Sequence, residues 1–329
     1  MSARTPSLAE YRDGVRAGDR RAIAKTITLL ESRRADHAEL GQAVLEALVP
    51  HTGAAVRVGI TGTPGVGKSS FIEALGLHLV ERGQRVAVLA VDPSSPRTGG
   101  SILGDKTRME QLAAHPAAFI RPSPSGGSLG GVAHRTRETM LVCEAAGFDV
   151  VLVETVGVGQ SEAAVASMVD FFAVLLQPGA GDELQGMKKG VLELADALVI
   201  HKADGELRAA ARRARLEYRH ALDLLRAASP VWRTPVLLAS ARSGEGIAEF
   251  WETALAHRAA LLKSGELESR RRAQALAWLW SLVDEGLRRE FRANPAVTRA
   301  IPILEAEVAG RKCTPAAAAR ALLEAFRGR

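Results

Sequence analysis

The sequence is poor in cysteine and in aromatic side chains, and it has no long apolar run. Its two cysteines, Cys143 and Cys313, stand far apart and outside any CxxC pattern, so we expect neither a disulfide framework nor a thiolate metal site. No stretch reaches the ~18 consecutive apolar residues that a membrane span needs. The first thirty residues carry Glu10, Asp13 and Asp19 and lack a compact apolar segment, which argues against a secretory or transit signal. The expectation is a cytoplasmic protein without a membrane partner.

The charge balance is basic but dispersed. There are 43 lysines and arginines against 37 acidic residues, a formal net charge of +6. The basic residues are mostly arginines scattered among acids rather than gathered into one stripe, so we expect a solvated surface and no nucleic-acid partner. Because 47% of the residues are apolar and recur periodically, the chain can bury a core.

Hydrophobic periodicity divides the chain into three parts. Residues 1–53 show helical spacing and predict an N-terminal helical extension. In residues 54–264, short apolar runs alternate with helical stretches, which predicts an α/β domain with a mostly parallel, doubly wound sheet. Residues 265–329 return to helical spacing and predict a C-terminal helical region. The predicted strands are 56–61, 86–91, 118–121, 150–154, 171–177, 197–201 and 236–239.

The C-terminal region is a candidate dimerisation region. Trp278 and Trp280 lie two positions apart and cannot share one face of a helix. One of them can face the main domain while the other faces a partner, which favours a homodimer. An ordinary intramolecular core explains the same pattern equally well.

The strongest motif follows the first predicted strand and opens a helix. It matches G-x-x-x-x-G-K-S, in which glycines let backbone amides turn towards phosphate oxygens beside the positive end of the helix. Lys68 is expected to reach the β- and γ-phosphates, and the Ser69 hydroxyl to bind Mg²⁺. The alternative is a Gly-rich loop at a helix start. The predicted nucleotide-binding residues here are Gly62, Thr63, Pro64, Gly65, Val66, Gly67, Lys68, Ser69 and Ser70.

A second motif indicates which base is bound. The sequence His-Lys-Ala-Asp follows a strand and resembles the N-K-x-D element of GTPases, in which the carboxylate accepts the two N–H donors of guanine. Adenine presents no such pair of donors, so Asp204 favours GTP over ATP. His201 replaces the usual Asn, and its imidazole can still bridge to the phosphate loop. With a Ser-Ala-Arg sequence after the last strand, the predicted base-recognition residues are His201, Lys202, Asp204, Ser240, Ala241 and Arg242.

Three carboxylates are candidates for the catalytic and Mg²⁺ site with Lys68 and Ser69. Glu154 ends an apolar strand and precedes Gly157, where a D-x-x-G element is expected, with Glu in place of Asp. Asp92 ends the second strand, and Asp105 lies in a Gly-rich polar loop. Capping of a helix start is the alternative role for Glu154 and for Asp105. No Gln follows Gly157 directly, so fast Ras-like hydrolysis is not expected.

Two further polar, Gly-rich loops, at 121–131 and 177–189, are candidate moving parts that could report nucleotide state to a partner. An ordinary surface loop is the alternative for each of them.

Together these segments resemble the MeaB/ArgK/MMAA family of P-loop GTPases. The matching segments, within roughly residues 56 to 250, are GITGTPGVGKSS, VDPSSPRTGGSILGDKTRM, ETVGVGQSE, QPGAGDELQGMKKG and HKADGE. The resemblance implies a SIMIBI-class fold, GTP or GDP and Mg²⁺ as cofactors, and frequent homodimers. It also implies a chaperone that gates cofactor loading of adenosylcobalamin-dependent methylmalonyl-CoA mutase and protects it from inactivation. It places Asp92, Asp105 and Glu154 around Mg²⁺ and the γ-phosphate, and makes residues 177–188 an additional switch.

Other functions stay open at this point. A P-loop kinase would transfer the γ-phosphate to a protein or small molecule, and a nucleotide-gated scaffold would not turn over. A metallochaperone GTPase would need Cys or His clusters, whereas the histidines are dispersed from His37 to His257. No Asp-x-His-x-x-Gly motif is present, so we do not expect this chain to hold cobalamin itself.

Overall fold

One parallel sheet organises the main part of the molecule. The structure is a computed structural model and describes residues 6–32, 34–91, 109–122, 129–155, 161–179, 189–223 and 229–328. Within these residues seven strands pair in parallel throughout, which confirms the predicted α/β class. The strands are β1 (Val56–Gly62), β2 (Val86–Val91), β3 (Ala118–Arg121), β4 (Val150–Thr155), β5 (Phe171–Leu176), β6 (Ala197–Ile200) and β7 (Val236–Leu238).

Helices precede, connect and follow the strands. They are α1 (Leu8–Arg16), α2 (Arg20–Glu31), α3 (Ala35–Leu48), α4 (Lys68–Val80), α5 (Glu110–Ala114), α6 (Leu129–Ala145), α7 (Ser161–Ala166), α8 (Lys189–Leu194), α9 (Arg208–Asp223), α10 (Ile247–Ser264), α11 (Glu266–Ala293), α12 (Pro295–Ala309) and α13 (Pro315–Phe326). None of the helices in the described ranges combines the length with the hydropathy that a membrane span requires.

The strand order places the phosphate-loop strand in the middle of the sheet. The order is β3-β2-β4-β1-β5-β6-β7, so β1 lies between β4 and β5. Since all pairs are parallel, the segments that follow β1, β4, β5 and β6 leave the sheet at the same edge. This carboxyl edge is where open α/β sheets bind ligands.

Apolar side chains fill both faces of the sheet. Every residue of β4 and β5 is buried, as expected for strands covered by helices on both sides. Alternate residues belong to two clusters: Phe172 packs in the cluster that includes Ile23 and Ile27 of α2, while Phe171 packs in the cluster that includes Phe71 of α4. The N-terminal helices therefore contribute to the core on one face of the sheet.

The N-terminal helices begin at side-chain caps. Ser7 and Glu10 form a capping box at α1, in which Ser7 N donates to Glu10 Oε2 at 2.6 Å and Glu10 N donates to Ser7 Oγ at 3.3 Å. Asp19 caps α2 by accepting from Ala22 N at 2.8 Å. These bonds satisfy amides that have no partner inside their own helix.

An aspartate precedes each of β4, β5 and β6. Each accepts a hydrogen bond from a backbone N–H in a neighbouring strand or in the residue just before that strand. Asp149 accepts from Arg85 N at 2.8 Å, and Asp170 accepts from Arg57 N at 3.0 Å. Asp196 accepts from Phe172 N at 2.9 Å. These three carboxylates satisfy amides at the amino edge of the sheet, opposite the phosphate loop.

Arginines at the start of α11 neutralise two of these aspartates. Arg271 donates two parallel bonds to Asp170, from Nε at 2.7 Å and from Nη2 at 2.6 Å. Arg270 Nη1 donates to Asp196 Oδ2 at 3.1 Å. Burial alone would raise the pKa of Asp196, but the close approach of His257 Nε2, 3.2 Å from Asp196 Oδ1, and the charge of Arg270 outweigh it and lower that pKa. The Asp196 carboxylate is thus ionised and paired, and Asp170 is held by the two bonds from Arg271.

The chain divides into two compact units, Met1–Arg272 and Ala273–Arg329. The predicted boundaries at residues 53 and 264 stay predictions. The second unit contains most of α11 together with α12 and α13, whose starts are capped by Asn294 and Thr314. Along α11 a stripe of apolar side chains is exposed, consisting of Leu276, Leu279, Trp280, Val283 and Leu287.

Candidate functional site

The loop between β1 and α4 is shaped by glycines. Gly67 precedes α4 with φ 97°, and Gly62 has φ 150° at the end of β1. A Cβ at Gly62 would lie 2.5 Å from the Leu175 carbonyl oxygen, so only glycine fits there. The Thr63 hydroxyl is buried and has no hydrogen-bond partner in the part of the chain that the structure describes. The loop thus presents an unsatisfied polar group at the positive end of a helix.

Lys68 folds back over this loop. It is the first residue of α4 and is only 8% exposed. Its Nζ donates to the Gly62 carbonyl at 2.8 Å and to the Thr63 carbonyl at 3.2 Å. The ammonium group therefore lies within the loop, beside the oxygens that a phosphate would replace as acceptors.

Ser69 and Glu154 meet at the end of β4. Ser69 Oγ donates to Glu154 Oε1 at 2.9 Å, and the hydroxyls of Thr61 and Thr155 lie 2.6 Å apart on the adjoining strands. A hydroxyl and a carboxylate are hard oxygen donors of the kind that Mg²⁺ prefers, so these two residues fit such an ion. Glu154 lies inside β4 rather than at a helix start.

Other predicted residues of the metal and switch region lie outside the described residues. These are Asp92, Asp105 and Gly157, and most of the predicted switch at 177–188. Among the residues that are described, no group of three or more His, Cys, Asp or Glu side chains could hold a metal ion. Of the four predicted metal ligands, Ser69 and Glu154 are the two that the structure describes.

His201 joins the phosphate loop to the segment after β7. Its Nδ1 lies 2.8 Å from the Val66 carbonyl oxygen, and its Nε2 accepts from Ala241 N at 3.2 Å. Burial lowers the pKa of His201, which favours the neutral ring. The imidazole thus spans the distance between two predicted parts of the site.

The other predicted base-recognition residues lie close to His201 in the same two segments. Lys202 has a left-handed backbone with φ 58°, and its Nζ donates to the Gly65 carbonyl at 2.7 Å. Asp204 is half-buried and precedes a short 3-10 turn, Gly205–Leu207; its carboxylate makes no hydrogen bond to any described residue. Ser240 is buried and its hydroxyl accepts from Ser243 N at 3.2 Å.

The structure therefore brings two predicted motifs together and adds a contact that the sequence did not indicate. Two bonds, from His201 to Val66 and from Lys202 to Gly65, connect the segment after β6 with the phosphate loop. The contact between Lys202 and Gly65 was not predicted, because no local pattern signals that a lysine will adopt a left-handed backbone. The remaining predicted residues, Thr63, Pro64, Ser70 and Arg242, lie in the same segments.

Comparison with known proteins gives one family. The family model described as "Methylmalonyl Co-A mutase-associated GTPase MeaB" matches residues 23–296. A protein named a probable GTPase from Mycobacterium tuberculosis is 57% identical over 310 residues, which cover 94% of this chain and 92% of that protein. A mouse protein named methylmalonic aciduria type A homolog, mitochondrial, is 48% identical over 96% of this chain and 79% of its own length.

A solved structure agrees with the fold. The crystal structure of a protein named LAO/AO transport system kinase superposes with a TM-score of 0.78 and 41% sequence identity, covering 97% of each chain. At this level of similarity the two proteins share one fold.

Proposed function

Because this chain belongs to the family of the methylmalonyl-CoA mutase-associated GTPase MeaB, we propose that it is a Mg²⁺-dependent GTPase serving as chaperone of an adenosylcobalamin-dependent methylmalonyl-CoA mutase. In that role it gates loading of the mutase cofactor and protects the mutase from inactivation. One observation supports nucleotide binding most strongly: hydrogen bonds connect the segment from His201 to Asp204 with the phosphate loop. The mutase part is supported by the family description and by the name of the mouse relative.

The phosphate loop supplies the positive surroundings for the polyphosphate. Backbone N–H groups at the amino end of α4 carry partial positive charge and favour phosphate oxygens there. Lys68 exchanges the Gly62 and Thr63 carbonyls for phosphate oxygens, which gives shorter, charge-assisted bonds. The unsatisfied Thr63 hydroxyl gains an acceptor from the same ligand. Hydrolysis then depends on positioning and charge neutralisation rather than on a covalent step.

Ser69 and Glu154 are the described residues that would hold the metal ion, with Asp92 and Asp105 proposed as further ligands. Held by these residues, the ion would neutralise charge on the polyphosphate. Because the Ser69 hydroxyl donates its proton to Glu154, a lone pair of Ser69 Oγ is available to bind the metal ion. The observed hydrogen bond therefore orients the hydroxyl as a metal ligand. Lys68 and Glu154 would act in catalysis with Asp92 and Asp105.

Base recognition is assigned to the segments after β6 and β7. The Asp204 carboxylate, which has no partner of its own among the described residues, accepts the two guanine N–H groups. The backbone of Ser240, Ala241 and Arg242 closes the other side of the base. His201 and Lys202 hold the first segment against the phosphate loop.

The exposed stripe on α11 supports a homodimer. Leu276, Leu279, Trp280, Val283 and Leu287 recur at spacings of three or four residues, so they line one side of the helix. Such a contiguous apolar stripe is costly in water and is typical of an interface. A second copy of the chain offers an equivalent stripe.

The experiment that tests the proposed function combines the purified chain with methylmalonyl-CoA mutase. Binding is measured by sedimentation with GDP or a non-hydrolysable GTP analogue, and hydrolysis by release of phosphate with and without mutase. We expect a nucleotide-dependent complex and faster hydrolysis in it, with K68A abolishing hydrolysis. Equal behaviour with and without mutase, in every nucleotide state, would contradict the chaperone role.

Phosphoryl transfer to an acceptor is the competing activity, and the name of the solved relative motivates a direct test. With γ-labelled GTP, hydrolysis releases the label as inorganic phosphate. A kinase leaves the label on a protein or small molecule instead.

A further inference from the structure

The hydrogen bonds of His201 define the protonation state of its ring. The Val66 carbonyl oxygen can only accept, so Nδ1, at 2.8 Å, must carry a proton. The Ala241 amide can only donate, so Nε2, at 3.2 Å, must be bare. The contacts therefore require the neutral Nδ1–H tautomer.

Packing fixes the ring in this position. His201 is 2% exposed, and the edge of Phe71 approaches it with ring centroids 5.6 Å apart. A Cβ on Gly67 would lie 2.8 Å from His201 Cε1, so the ring occupies the space that the glycine leaves open. The ring cannot rotate away from Val66 and Ala241 without disturbing the core under the phosphate loop.

The charged groups around the ring leave the neutral form favoured. Burial lowers the pKa of His201 most, the Val66 bond raises it, and on its own segment Lys202 lowers it and Asp204 raises it. On α4, Lys68 directs its ammonium to the Gly62 and Thr63 carbonyls. In the loop after β7, Glu245 is paired with Arg208, and Arg242 makes no hydrogen bond to a described residue.

We propose that His201 is a titratable positioning residue that clamps the phosphate loop to the Ser240–Arg242 segment and releases that segment when Nε2 takes up a proton. Uptake from solvent gives an imidazolium whose Nε2–H faces the Ala241 N–H, so an attractive contact becomes a repulsion between two donors. The Nδ1 bond to Val66 persists. This inference rests on the proposed guanine site, because the released segment is one that we assign to the base.

The clamp makes nucleotide affinity depend on pH. If the occupied site requires the neutral ring, proton uptake competes with nucleotide binding. Affinity is then constant above the pKa of His201 and falls about tenfold per pH unit below it. Because burial lowers that pKa, the loss begins below the ordinary histidine value near 6.5.

Two variants separate the two bonds. H201N places an amide where Nδ1 lies and can donate to Val66, but it does not reach Ala241. H201Q places an amide where Nε2 lies and can accept from Ala241, but it has nothing to offer Val66. Neither side chain titrates, and H201A removes both bonds. At pH 8 each single-bond variant should bind GDP about fivefold more weakly than the wild type, and H201A more weakly still.

The measurement is the GDP dissociation constant in Mg²⁺ buffer from pH 8 to pH 5, with melting temperatures recorded for each variant. Dividing wild-type values by those of H201N removes the titration of GDP itself. We expect the ratio of the wild-type dissociation constant to that of H201N to rise steeply as pH falls, and the corresponding ratio of H201Q to H201N to stay constant. A wild-type ratio that stays constant while GDP still binds would overturn the proposed role of His201 but not the nucleotide site. Absence of GDP binding by the wild type at pH 8 overturns the proposed nucleotide site as well.

Discussion

At the scale of single residues, two bonds hold the segment after β6 against the phosphate loop, one from His201 to Val66 and one from Lys202 to Gly65. The G-x-x-x-x-G-K-S pattern predicts a lysine and a serine at a helix start, because only a few backbone shapes can surround a phosphate. The bond from Lys202 to Gly65 depends on where β6 ends relative to β1, which are separated in sequence and lie two strands apart in the sheet. Contacts of this kind follow from the assembled sheet rather than from a local pattern.

Asp204 provides a residue-scale prediction about base choice. In D204N one carboxylate oxygen becomes an N–H donor, which suits the additional carbonyl of xanthine and opposes the N–H of guanine. We expect binding to shift from GDP towards xanthosine diphosphate by at least tenfold, measured by competition. The exposed neighbour Glu206, changed to Gln, is the control and should leave the preference unaltered. A D204N protein that retains the guanine preference would argue against the assigned role.

At the scale of elements, the strands were predicted closely. Each predicted strand agrees with the structure to within one residue at either end, because apolar runs buried on both faces have an unambiguous composition. The sequence did not predict the role of the aspartates before β4, β5 and β6. A carboxylate next to an apolar run indicates where a strand begins, but only the strand order shows which backbone N–H donates a hydrogen bond to it.

The start of α11 provides an element-scale prediction about stability. Arg271 makes a bidentate, buried pair with Asp170, whereas its neighbour Arg272 pairs with Glu268 at the surface. Removing Arg271 leaves a buried carboxylate with less compensation, so R271A should lower the free energy of unfolding by about 3 kcal/mol. R272A should change it by less than about 0.5 kcal/mol. Urea unfolding of the two variants measures this difference. Equal losses of unfolding free energy in R271A and R272A would show that the buried pair stabilises the fold no more than the surface pair does.

At the scale of the whole molecule, the sequence indicated a helical C-terminal region but not which residues it exposes. Helical periodicity alone cannot tell an internal core from an interface, since both need an apolar stripe. The exposure of Leu279 and Trp280 on α11 supports the second possibility.

The corresponding prediction concerns oligomeric state. L279E introduces a charge in the middle of the α11 stripe and should convert a dimer into a monomer at micromolar concentration. L216E, on the exposed side of α9, is the matched control and should not. Sedimentation velocity distinguishes the two masses, and a dimer that survives L279E would place the interface elsewhere.

We propose that the loop between β1 and α4, with the segment after β6, encloses a guanine nucleotide. Isothermal titration calorimetry of the purified chain with Mg²⁺ measures this binding, using GDP, GTP and ATP as ligands. We expect one site per chain that binds GDP and GTP at least a hundredfold more tightly than ATP, and loss of that binding heat in K68A. No binding heat for GDP or GTP at millimolar concentration, or equal affinity for ATP, would contradict it.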